Sequence, residues 1–334
     1  MNPTELLDHL WRHGVSAEDR DALAAAHAAM AAGAIDPAAA LGLELFAGWL
    51  AADDGDASGG IDPGSVPDLA SRVLARALAL RAASRRRDVA AIDAGLAAID
   101  HELAALDPAD PRGATARAAV DLALAEAALL GADPSAARRC LTRVASGGPP
   151  AFRIAARQRQ VSLHLADADL PSALTRARQA LRLAEQLGRP AQAAQGQLLL
   201  GLVAYMMEDV DAMRDSLGPL TVGPDGATAR ILLAGLDPPE LLLPMVSEAL
   251  QVAAQRRDPL GYAIGALVGG RCCARSGRWV DALVSNTTAR RQLRDVAPDL
   301  VIAIEGEIEG WRRAWGEETF RAAERDALAA LERR

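Results

Sequence analysis

Residues Asp169 to Met213 read DLPSALTRARQALRLAEQLGRPAQAAQGQLLLGLVAYMMEDVDAM, and the fold of the chain is decided by how they are read. Leu170, Leu174, Ala177, Leu181 and Ala184 recur in steps of three and four, which puts them on one face of a helix. Asp169 can cap that helix, because its carboxylate accepts the free backbone N–H groups of the first turn. Pro171 sits in that turn, where no N–H is missed. Gly188 can adopt the left-handed conformation that closes a helix, and Pro190 cannot continue one. A second helix carries Leu198, Leu199, Leu202, Val203 and Met206, a stripe wide enough to touch neighbours on two sides. Glu208-Asp209 marks a second, acidic turn. Ala173, Ala177 and Ala180 lie four and three residues apart, with Gly201 in the facing helix, so two helix backbones can approach closely. The spacing predicts a helical hairpin.

This hairpin resembles the tetratricopeptide repeat, which carries a Leu-Gly pair in its first helix and small residues through its second. Leu200-Gly201 with Tyr205 matches the first part; Asp169, Ala173, Ala177 and Ala180 match the second. Gly277-Arg278-Trp279-Val280-Asp281-Ala282 looks like the family's turn followed by an aromatic and the packing alanine. Its preceding helix has Gly269-Gly270 where Leu-Gly is usual, and Met213 stands where a small residue belongs, which implies a loosened contact there. No unit carries the whole signature. The resemblance therefore implies a divergent member: an all-α, right-handed superhelix of antiparallel hairpins, a TPR-like α-solenoid, rather than a strict array of about 34-residue repeats.

Composition agrees with a helical chain. Apolar residues make up 51% of the 334 and aromatics only 3%, so Ala and Leu, strong helix formers, supply the core. No run of alternating β-branched and aromatic residues is found. All 36 positive residues are arginine and the net charge is −8, so the whole molecule does not favour nucleic acid as a partner. Cys140, Cys272 and Cys273 give no disulfide framework; the adjacent pair is expected to pack as small buried side chains. Met1 to Gly14 lacks the apolar core of a secretion signal, and no membrane span is expected. These features predict a cytoplasmic setting.

Asp-Pro punctuates the chain at Asp36, Asp107, Asp110, Asp133, Asp237 and Asp258, a capping acid followed by a first-turn proline. Read this way there are about seventeen helices. Helices near 3–12, 16–32 and 36–51 fit the repeat poorly and are expected to form an N-terminal cap over residues 1–51. Residues 52–67 are acidic and rich in Gly and Pro, hence a linker. Residues 68–295 are expected to hold the repeats and 296–334 a C-terminal repeat with capping helices. Second helices start near 88, 134, 170, 209, 238, 278 and 316, an irregular spacing, and the short one at 209–218 is expected to be kinked or loosely packed. Similar irregular arrays are attached to some bacterial transcription activators and signalling ATPases.

The resemblance implies that first helices line a concave groove. The positions it selects are Gln158, Ser162 and Leu165, then Gln195, Leu198, Leu202, Tyr205 and Met206, then Ile264, Leu267, Arg271 and Arg275. An apolar, Met-containing centre with a cationic end suits a peptide bearing a carboxylate; the bland alternative is that the apolar members are inter-repeat core. A subclass of the family clamps C-terminal carboxylates with Lys and Asn. Here those positions are Gln158 with Ser162 and Leu198 with Leu202, which departs from that subclass.

Other clusters have plainer readings. Arg72, Arg76, Arg81, Arg85, Arg86 and Arg87 form one basic tract, and Arg138, Arg139, Arg143, Arg153, Arg157 and Arg159 a second. Either is a strip for an acidic partner, or a set of helix faces paired with neighbouring carboxylates. Glu5, His9 and His13 share a helical face, the spacing of a metal site but without further ligands in sequence. Trp311 and Trp315, four apart beside Glu305, Glu307 and Glu309, form an aromatic patch or seal the last repeat. Asp53-Asp54 has no partner base, and no phosphate loop, metalloprotease pair or nucleophile elbow is present. The expected function is a scaffold, not an enzyme and without a cofactor, that binds a partner protein or peptide in the groove. The alternative is a module that senses a small-molecule effector and regulates a separate transcription or signalling protein.

Overall fold

The structure is a computed structural model that describes residues 1–31, 35–53, 61–107 and 109–333. Among these, every regular element is helical, with seventeen α-helices, three short 3-10 turns and no strand. Residues 54–60 of the expected linker, including Asp54 of the acidic pair, lie outside the described residues, as does Pro108 of an Asp-Pro pair. In chain order the helices are α1 (Pro3–His13), α2 (Arg20–Ala31), α3 (Pro37–Asp53), α4 (Leu69–Arg86), α5 (Val89–Ala105), α6 (Pro111–Leu130), α7 (Pro134–Gly147), α8 (Pro150–Ala166), α9 (Leu170–Gln186), α10 (Pro190–Met206), α11 (Val210–Leu217), α12 (Gly226–Leu233), α13 (Pro239–Arg256), α14 (Pro259–Arg275), α15 (Trp279–Leu293), α16 (Pro298–Trp315) and α17 (Glu317–Glu332). The sequence bounds hold to within a few residues, except that 16–32 divides into a 3-10 turn, Ala17–Asp19, and α2. No helix among the described residues is long and apolar enough to cross a membrane.

One turn recurs between consecutive helices. Arg87, Ala132, Ala168, Glu208 and Arg257 have φ between 52° and 58°, and Gly188 and Gly277 take the same left-handed conformation at 61° and 71°. The N–H of the residue after each bonds back to a carbonyl five residues earlier, as in Asp88 to Ala83 at 3.0 Å and Asp258 to Ala253 at 2.8 Å. That bond is the Schellman closure of a helix C-terminus. At five of the turns the next residue is an aspartate that caps the following helix. Asp88, Asp133, Asp169, Asp209 and Asp258 accept from the N–H three residues on at 2.9–3.2 Å. One residue thus ends a helix and its neighbour starts the next. At α10 the corresponding residue is Arg189, and the cap comes from elsewhere: the Glu18 carboxylate accepts from the Gln192 N–H at 3.1 Å.

Packing divides the chain into two compact units. The first comprises Met1–Arg157 and Arg182–Ala193. Within it α4 packs between α5 and α6, α6 also meets α7, and α1 lies on α3 and α6. Trp11 meets Phe46 edge-on at 5.0 Å and Trp49 stacks on Phe152 at 5.4 Å. Arg81 and Arg85 from α4 converge on Glu126 of α6 at 3.0 and 2.6 Å, all three buried, with the Arg81 guanidinium 4.5 Å from the Trp49 ring. A carboxylate buried among apolar helices is tolerated because two forked cations neutralise and hydrogen-bond it.

The second unit comprises Gln158–Leu181 and Ala194–Arg334. Here α13, α14 and α15 pack in succession, and α12 with α14, α14 with α16 and α15 with α17 pack as alternate neighbours. Ala173, Ala177 and Ala180 are fully buried, as their spacing predicts. Leu217 of α11 covers Gly201, where an added Cβ would meet its side chain at 2.3–2.7 Å. Met213 and Leu217 are 1% and 0% exposed, so the looser contact expected at this short helix is not found. A further contact joins elements far apart in sequence. Ser162 of α8 donates to Asp299 of α16 at 3.2 Å, and a Cβ on Gly306 would lie 2.5 Å from the Ala166 Cα. Only glycine lets α16 approach α8 this closely.

Two mutations test these features. Ala168→Gly removes a side chain from an exposed left-handed position and is expected to stabilise the protein by about 1 kcal/mol in urea unfolding. Gly306→Ala is expected to destabilise it by about 1–3 kcal/mol. Gly310→Ala in the same helix, where an added Cβ meets nothing within 4 Å, serves as its control and is expected to be neutral or stabilising.

Candidate functional site

A convergence of charged and aromatic side chains lies in the second unit, in a cleft of about 280 Å³. Helix periodicity builds two of its walls. Arg271, Ala274 and Arg275 recur on one face of α14, and Glu307, Trp311 and Trp315 recur every fourth residue on α16. Tyr205, near the end of α10, forms the floor. Its ring packs against Gly235, where an added Cβ would come within 2.5 Å of Cε2. Glu208, the left-handed residue of the turn after α10, and Leu236 complete the lining.

The charges are not equivalent. Arg271 binds Glu307 through Nε and Nη2 at 2.8 and 2.9 Å, a two-point pair that neutralises both. The same guanidinium stands 5.8 Å from the Tyr205 ring centroid. Arg275 donates to the Gly235 carbonyl and has no carboxylate partner among the described residues. It is therefore the cationic group of the cleft that remains unneutralised. Trp311 and Trp315 lie 5.4 Å apart and within 8° of parallel, and Trp279 stacks on Trp315 at 5.4 Å. These rings form a stack in which Trp315 pairs with both neighbours.

The Tyr205 hydroxyl is the unexplained group. The residue is 1% exposed, lines the cleft, and its oxygen has no hydrogen-bond partner among the described residues. Burying a hydroxyl unsatisfied costs about 1–3 kcal/mol. Burial pushes the phenol up to about 12, against the opposing pull of Arg275 and Arg271. It therefore stays protonated at neutral pH. Burial also pushes the neighbouring Cys272 thiol up, away from the reactive thiolate.

The positions selected from the repeat frame separate into two groups. Tyr205, Arg271 and Arg275 meet in this cleft. The others do not line it. Ser162 is buried and bonded to Asp299, while Leu202, Leu198, Ile264 and Leu267 are core. Gln195 is exposed, and Gln158 is half-buried. Sequence reading noticed Trp311, Trp315 and Glu307 but did not join them to Tyr205. The available signal was the four-residue step of Arg271 and Arg275 on α14 and of Glu307, Trp311 and Trp315 on α16. Gly235 and Leu236, in a short linking turn, carried no such signal.

The remaining clusters are engaged elsewhere. Arg72 and Arg76 meet Glu102 at 3.1 and 2.7 Å and Arg81 and Arg85 meet Glu126, so most of the first basic tract is spent on internal carboxylates; in the second, Arg143 binds Asp121. Glu5 turns back to the Asn2 N–H at 3.0 Å in a capping box. The His9 and His13 rings lie 4.6 Å apart and tilted by 36°, and His9 sits 3.1 Å from Arg189, which itself donates to Ser16 and Asp19 at 2.9 Å. Burial, then the charge of His13, hold the His9 imidazole below its usual range, and Asp19 only partly opposes them. No group of three or more His, Cys, Asp or Glu among the described residues could hold a metal ion.

The raised phenol makes stability depend on alkaline pH. A group that resists ionisation in the fold contributes its stability fully below the unfolded pKa of about 10, and that contribution is lost as pH climbs towards 12. Chemical unfolding followed from pH 8 to 12 is expected to show a loss of up to about 3 kcal/mol from this source. Tyr205→Phe should flatten that part of the profile.

No family model, curated protein or solved structure matches this chain.

Proposed function

We propose that the chain is a TPR-like helical-repeat protein that acts without catalysis, holding a partner protein or peptide in a groove that includes the cleft of the second unit. The observation that carries this reading is the convergence of Tyr205, Arg271 and Arg275, the last two on one face of α14, with Trp311 and Trp315 of α16. The repeated left-handed turn with its capping aspartate and the alternate-helix packing within each unit support the repeat assignment. A binding role is supported by what lines the cleft: one guanidinium without a carboxylate partner, one hydroxyl without a hydrogen-bond partner, and the indoles of Trp311 and Trp315. A catalytic role is not, because Glu307 is tied to Arg271 and the Cys272 thiol is held protonated. Three free, buried cysteines are in keeping with the reducing interior of a cell. Packed helices present these groups at fixed spacing, so the scaffold loses little ordering entropy on binding.

The volume of the cleft favours a second reading. About 280 Å³ lies at the small end of small-molecule sites, so an effector could fill it and the chain could regulate a separate transcription or signalling protein.

Affinity capture with mass spectrometry tests the first reading. Tyr205→Ala, Arg271→Glu and Arg275→Glu are each expected to abolish recovery of a protein captured by the wild type. Unchanged recovery with all three would remove the groove assignment. A thermal-shift screen against metabolites tests the second, which fails if no small ligand stabilises the protein.

A further inference from the structure

We propose that His9 is an acid-sensitive latch in the first unit. Neutral, its imidazole accepts a hydrogen bond from Arg189 and helps hold the turn Ala17–Asp19 against the start of α10; protonated, it repels that guanidinium and releases the turn. The proposal is independent of the cleft in the second unit.

Geometry decides the protonation state. His9 Nε2 lies 3.1 Å from Arg189 Nη2. A guanidinium only donates, so this ring nitrogen carries a lone pair and the imidazole is neutral, with its proton on Nδ1. Arg189 Nη1 also lies 2.9 Å from both Ser16 Oγ and Asp19 Oδ2, so one guanidinium gathers the histidine and the turn. Arg189 and Asp19 are buried. The turn held in this way supplies the remote cap of α10. Glu18 accepts from the Gln192 N–H at 3.1 Å and from the Ser16 hydroxyl at 2.6 Å.

A proton on His9 removes the acceptor and sets two cations 3.1 Å apart. His13, with its ring 4.6 Å away, and Arg189 oppose the added charge, while Asp19 Oδ1 at 3.9 Å favours it. Asp19 is already engaged, because Oδ2 accepts from Arg189 and from the Ser16 N–H and hydroxyl. Elsewhere on α1, Glu5 is turned to the Asn2 N–H and Asp8 pairs with Arg12. Helices α2, α3 and α6 also pack on α1. Arg112 of α6 is turned to Trp11 and Asp68, and no charged group of these three helices shifts the ring. Burial and His13 outweigh Asp19, so the imidazole is held below its ordinary 6.5. The fold thus resists a proton that the released segment accepts. The latch is complete above pH 6.5 and is lost as pH falls below that value.

Amide hydrogen exchange of the full-length protein at pH 7.5 and 5.5, corrected for the intrinsic pH dependence of exchange, reads the release. Protection of the Gln192 amide and of the turn is expected to fall by about threefold or more at pH 5.5, with a ceiling of about tenfold because that pH lies one unit below 6.5. His9→Gln keeps a neutral acceptor for Arg189 and cannot be protonated, so its protection is expected to be equal at both pH values. A thermal melt at pH 7.5 verifies that the variant folds. Independently of any variant, proton NMR of the wild-type histidines is expected to show His9 titrating below 6.5. The proposal is overturned if wild-type protection does not change with pH, if folded His9→Gln loses protection as the wild type does, or if His9 titrates at or above 6.5.

Discussion

The structure depends on a reversal that two adjacent residues perform. A left-handed residue closes one helix and the aspartate after it opens the next, so consecutive helices are joined by two or three residues and must lie side by side. Five of the left-handed positions are occupied by Arg, Ala or Glu rather than glycine. Each bears the steric cost of a Cβ in that region, of order 1–2 kcal/mol. Tertiary packing holds them there, because the short link leaves the chain no other way to keep both helices on the core. Where the capping aspartate is absent, at Arg189, Glu18 reaches the helix start from a distant part of the first unit. The requirement for a satisfied helix N-terminus is therefore met in each of these turns by a carboxylate, local or remote, apart from the one before α15.

Side chains between the helices follow two chemistries. Alanine and glycine permit close approach, as at Ala173, Ala177, Gly201 and Gly306. Arginine does the opposite, filling space with a long stem and then requiring a counter-charge. Arg81 and Arg85 find Glu126 in the first unit, and Arg271 finds Glu307 in the second. With arginine as the only cationic side chain and few aromatics available, these forked pairs supply much of the specific contact between helices that bulky residues supply elsewhere.

The cleft arises from the same packing. Because α14 contacts both α13 and α16, the face bearing Arg271 and Arg275 is set opposite Glu307 and Trp311. Tyr205 comes from α10, and its ring fits beneath the link before α13 only because residue 235 has no side chain. The unpaired hydroxyl and Arg275 remain in a space also lined by the Arg271–Glu307 pair, Glu208 and the indoles.

Helices and turns were legible in the sequence because their causes are local. The three- and four-residue steps of Leu170 to Ala184, the capping Asp169 and the closing Gly188 act within one or two turns of chain, and the observed bounds follow them. The candidate site was legible only in part. Tyr205, Arg271 and Arg275 could be selected from the repeat frame, but Ser162 and Leu202 satisfy the same frame and are buried elsewhere. Which of these positions converge depends on contacts between residues more than a hundred apart, such as Ser162 with Asp299 and Ala166 with Gly306. Such contacts leave no periodicity along the chain. Sequence determined where the helices begin and end and which faces are apolar. Tertiary structure alone decided which polar side chains meet, because that choice is made by the close approach of distant backbones.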